Sequence, residues 1–132
     1  MTDHHEQLID WDAFAQARST LGAGFVRMLG YFREDGETSV TRIERAMQSG
    51  DVIALVAPSD RLKEDAQQFG AELLADLAEE IEIAARRAIE NRLFPDDLIP
   101  EVAKLRPLYL TTVEQLERAA NPLQQRRVSG GR

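Results

Sequence analysis

The sequence predicts an all-α fold: an up-and-down antiparallel four-helix bundle with a short N-terminal helix and an additional C-terminal helical region. Three observations carry this prediction. Apolar residues recur at spacings of three and four through most of the 132 residues, which places one buried stripe on each helix. A single continuous apolar run, VIALVA at 52–57, has the composition of a buried strand, but one strand cannot build a sheet. Glycine and aspartate stand between the stripes, where helices stop and start, so connections are short and neighbouring helices run antiparallel.

Taken in order, Trp11 and Phe14 are expected to pack a short helix across the bundle's end. Over 19–34, Leu21, Phe25, Met28, Leu29 and Phe32 form a stripe, and Gly36 is expected to end that helix. Thr38 or Ser39 then caps a short helix with Val40, Ile43 and Met47 inward, and Gly50 followed by Asp51 supplies a stop and a fresh N-cap. Residues 51–69 read as helical, with Leu55, Leu62, Ala66 and Phe69 inward. Ala57 is the expected kink or break point, because the residue before a proline disfavours the α region. Over 71–91, Leu73, Leu74, Leu77, Ala78, Ile81, Ala85 and Ala88 make the longest stripe, and Glu82 pairs with Arg86 at i,i+4. The last helical region, 97–120, turns Val102, Leu105, Tyr109, Val113 and Leu116 inward, with a kink or split expected at Pro107. The end, NPLQQRRVSGGR, reads as a flexible tail, which gives one domain over 1–120 and a tail over 121–132.

Composition excludes several functions. The length suits one domain with its own core. There is no cysteine, so disulfides, thiolate catalysis and cysteine-ligated zinc are ruled out. MTDHHEQLID lacks a basic segment followed by an apolar one, and no apolar run approaches the roughly 20 residues of a membrane span. A cytoplasmic protein with no membrane association is expected. A net charge of -7 opposes nucleic-acid binding, which needs clustered lysine and arginine, and fits a protein partner better. His4 and His5 are adjacent and cannot face one ion well, so neither a metal nor a cofactor is expected. Arg126, Arg127 and Arg132 read as part of the solvated tail.

The stretch SDRLKEDA at 59–66, followed by Gly70-Ala71 and LLADLAEEIE, resembles the A-H-x-L-K-G-x-A motif and following helix of histidine-containing phosphotransfer (HPt) domains. Upstream, LGAGFVRMLGYFRED resembles the family's phenylalanine-bearing helix, and AMQSGDVIAL its glycine-aspartate turn, so the resemblance covers residues 8–90. It implies a helical-bundle carrier of phosphoryl groups in two-component phosphorelays. Its partner would be a response-regulator receiver domain or a hybrid histidine kinase.

Two departures fall where the chemistry would be. Asp60 matches the family's phosphorylated histidine, and Glu64 matches the motif glycine. Imidazole is nucleophilic near neutral pH because a pKa of about 6.5 leaves a free lone pair. A carboxylate on a bundle helix is a poor substitute, and Glu64 adds bulk and like charge one turn away. The resemblance therefore implies a member without a catalytic residue. What it retains is an exposed docking face of Asp60, Lys63, Glu64, Gln67 and Gln68 that binds a receiver. The alternative is a helical scaffold or dimerisation protein with no relay role. An enzyme using Asp60 and Glu64 as a carboxylate pair finds no further catalytic group in the sequence. The oligomeric state stays open.

Overall fold

Each apolar stripe becomes an α-helix. The computed structural model describes residues 7–121. The helices are α1 (Trp11–Leu21), α2 (Phe25–Ser49), α3 (Ile53–Gln68), α4 (Glu72–Asn91) and α5 (Leu98–Ala120), with one 3-10 turn at Gly22–Gly24 before α2. No strand occurs among the described residues, and VIALVA lies within the opening of α3 and the turn before it. Helices α2 to α5 form a ring in which each packs on the next and α5 closes against α2, while α1 lies against α2 and α3. The bundle thus has four helices, but the C-terminal region is its fourth member rather than an addition.

That difference arises at Gly36. It does not end a helix: α2 passes through it, joining the two segments expected on either side, and ends at Gly50 with φ 70°. Thr38 and Ser39 are helix-interior residues, and Ser39 is buried. Gly36 is there for packing, because a Cβ on it would lie 2.5 Å from Cε1 of Tyr109. The Tyr109 hydroxyl donates to the carbonyl of Arg33, one turn earlier on α2. Beside this contact, Arg106 donates through Nε and Nη2 to Glu44, through Nη1 to Glu37 at 2.8 Å and through Nη2 to Thr41 at 3.1 Å. The seam between α2 and α5 is therefore tied at two successive turns.

Neither interior proline breaks its helix. Pro58 and Pro107 each withdraw a donor from the carbonyl four residues earlier. Those carbonyls belong to Ala54 and Ala103, both exposed residues, where water can donate in place of the missing N–H. Asp51 caps α3 as expected, its Oδ1 accepting from the Ala54 N–H at 3.1 Å.

The core contains Leu55, Leu62, Ala66, Phe69, Leu74, Ile81, Leu105 and Leu116, the inward residues of the stripes. Leu73 is only partly buried. An aromatic row crosses the interior: Phe14 meets Phe25 at 5.3 Å between centroids, Phe25 meets Phe69 at 5.7 Å, and Phe69 meets Phe32 at 5.5 Å. Of the two N-terminal aromatics, Phe14 is buried, but Trp11 stays 48% exposed, edge-on against it.

Burial of Tyr109 raises its pKa from 10.0 to about 12, helped by the nearby charge of Glu37. A folded pKa raised above the unfolded value contributes stability below the unfolded pKa and loses it as pH rises through the folded one. Stability against urea is therefore expected to fall between pH 10 and pH 12, with a smaller fall in Tyr109→Phe. Equal declines in the two proteins would show that Tyr109 is not the group responsible.

Candidate docking face on the third helix

Helix α3 divides cleanly into two sides. Leu55, Pro58, Ser59, Leu62 and Ala66 are buried. Glu64, Gln67 and Gln68 are exposed, and Asp60 and Lys63 are partly exposed. All five residues expected from the sequence to form the docking face are thus brought to one surface, because three- and four-residue spacing repeats on a helix. The side chain of Asp60 keeps 42% of its exposure.

Lys63 is held from two directions. Its Nζ lies 3.4 Å from Asp60 Oδ1, the expected i,i+3 pair, and donates to Glu82 Oε1 on α4 at 3.1 Å. Glu82 is buried, and its other oxygen accepts from Nε and Nη2 of Arg86 at 3.1 and 3.0 Å. The hydrogen bond to Glu82 raises the Lys63 pKa, with Asp60 adding to it. Sequence reasoning found the Glu82–Arg86 pair but missed that Glu82 also anchors Lys63. The available signal was the carboxylate's place beside Ile81 and Ala85 in an otherwise apolar stripe.

On the other flank, Arg61 joins α3 to α2. It donates through Nη2 to Asp35 at 3.1 Å and through Nε to Asp65 at 3.3 Å. Burial raises the Asp65 pKa, and the Arg61 charge opposes that rise. The face is therefore a charged surface with a fixed lysine, not an enclosed pocket. Among the described residues no group of three histidine, cysteine or acidic side chains is placed to hold a metal ion. His4, His5 and the arginines at 126, 127 and 132 lie outside the described residues.

The chain is thus a ring of four helices with a polar face on its second member. A sequence model of the Hpt domain matches residues 27–119, and the chain belongs to that family. Two solved structures share the fold. Histidine-containing phosphotransfer protein B from Pseudomonas aeruginosa PAO1 aligns with TM-score 0.76 and 21% identity, over 92% of this chain and 97% of that one. The HPT domain of a sensor hybrid histidine kinase from Shewanella aligns with TM-score 0.68 and 19% identity, over 89% of this chain and 95% of that one. No curated protein matches. No described helix is long and apolar enough to cross a membrane.

Proposed function

We propose that this chain is a phosphorelay protein that carries no phosphoryl group itself and acts by docking a response-regulator receiver domain on the outward face of α3. The observation that carries this reading is Asp60. It stands at the motif's histidine position and presents a half-exposed carboxylate in line with Glu64, Gln67 and Gln68. Family membership supplies the relay context. A carboxylate offers no imidazole lone pair, and the Lys63 ammonium that would neutralise a phosphoryl group is already engaged by Asp60 and Glu82. Glu64 adds negative charge one turn further along. The face keeps the surface for recognition and lacks the group for transfer.

Incubation with a phosphorylated receiver or an active hybrid kinase should leave the protein without an acid-labile, alkali-stable phosphate; such a label at any position would refute the reading. Receiver binding itself should be weak and fast, as for small transient signalling interfaces. Gln67→Arg or Gln68→Arg should weaken it about tenfold by placing bulk and charge in the contact. Neither should shift stability by more than about 0.5 kcal/mol. Thr111→Arg, at an exposed position on α5, serves as the control. Calorimetric titrations in which all three variants bind like the parent, or in which no receiver from the same cell binds, would remove the docking role.

A further inference from the structure

A groove follows the seam between α2 and α5 on the surface. It holds about 840 Å³ in one stretch and about 600 Å³ in the next, and the two share Gly30, Arg33 and Glu117. Val26 on α2 lines the second stretch and Leu110 on α5 the first, and they are 67% and 54% exposed. Gly30 lies between them in the interior of α2, where glycine is the least favourable residue after proline. Packing explains Gly36, but a Cβ on Gly30 would meet nothing within 4 Å. Nothing inside the described chain calls for glycine there. A bare backbone in an open groove is what close approach by another chain requires.

The groove's charge indicates what that chain carries. Glu34, Glu37, Glu114 and Glu117 line it together with Arg33. Arg33 is paired with Glu117 at 3.2 Å, Arg106 holds Glu37 and Arg118 holds Glu114. Glu34 has no cationic partner among the described residues, and four carboxylates against three guanidiniums leave the rim negative. A second copy of this chain would bring the same rim, on a chain of net charge -7, against itself.

We propose that this seam is a second docking surface, which takes an amphipathic helix from a basic partner. The partner's apolar face lies over Gly30 between Val26 and Leu110, and a lysine or arginine meets Glu34. The seam is separate from the outward face of α3, so the inference holds or fails independently of receiver docking.

The test titrates the isotope-labelled full-length protein with a synthetic leucine–lysine peptide whose leucines fall on one helical face, and follows the backbone amide shifts. The expected shifts concentrate at residues 26–34 and 110–117. Gly30→Leu should weaken the peptide's Kd by about tenfold or more. Its Tm should stay level or rise, since it fills open space and improves helix propensity. A role confined to the fold would not separate these two readouts. A lysine-rich peptide of equal charge without the leucines should bind at least about tenfold more weakly. Shifts centred on Asp76, Glu79 and Glu80 of α4 would mean charge attraction alone and would overturn the proposal. So would an unchanged Kd in Gly30→Leu, or self-association of the protein through this groove.

Discussion

Replacing Gly70 with alanine is expected to lower the unfolding free energy by about 2–4 kcal/mol, combining left-handed backbone strain with overpacking. Gly70 turns the chain from α3 into α4 at φ 76°, a conformation that side chains resist. Its surroundings leave no room: a Cβ there would lie 2.6 Å from the Asp10 carbonyl oxygen and 3.1 Å from Ala13 Cβ. The same glycine accepts at its carbonyl the Asp10 N–H at 2.7 Å, and Asp10 in turn caps α1 through the N–H groups of Asp12 and Ala13. Displacing this turn would unseat α1 and shift the end of α3 together. Gly50→Ala is the comparison, because Gly50 is also left-handed at φ 70° and a Cβ there meets only Phe94 Cε1 at an ordinary 3.8 Å; it should cost only about 1 kcal/mol. Urea unfolding of the two variants decides the matter, and equal losses would show that the close approach of Asp10 contributes nothing.

The second large effect is a gain of chemistry. Asp60→His combined with Glu64→Gly should change the protein from an unlabelled bystander into a phosphoryl acceptor when it is mixed with a phosphorylated receiver. The histidine supplies a nucleophile that titrates near neutral pH. The glycine removes a carboxylate and clears the surface one turn away. Asp60→His alone should label more slowly, since Glu64 still faces the incoming phosphoryl group with like charge. Lys63 loses Asp60 in both variants but keeps Glu82 at 3.1 Å, so its ammonium stays fixed beside the new imidazole. A double variant that folds with an unchanged circular dichroism spectrum, binds the receiver and yet takes no label would show that more than residues 60 and 64 separates this face from transfer chemistry.

Legibility in the sequence followed the range of the interactions. The stripe at 71–91 and the inward residues of 51–69 were readable because the helical period is local, and the five candidate residues of the α3 face came together for the same reason. Gly36 was not readable. Glycine after a stripe signals a stop, and the reason it does not stop α2 is a ring 73 positions later, Tyr109 against 36. That the helices run on through Pro58 and Pro107 was not readable for a related reason: the cost of an interior proline depends on whether its freed carbonyl meets water, which is a property of the assembled surface. Glu82 looked like half of a surface pair because Arg86 is its helical neighbour, while Lys63 reaches it from another helix.

The contact of Tyr109 with Gly36 also bears on the order of events during synthesis. The hydrogen bond beside it joins residues 76 apart in the chain. At translation rates of about 5–20 residues per second, the notch on α2 is made about 4–15 s before the ring that fills it. During that interval α2, α3 and α4 can pair in the order in which they emerge, but the ring of helices stays open along one seam. Closure waits for α5, so the nascent chain exposes the inner side of Phe32 and its neighbours until the last helix of the bundle has been made.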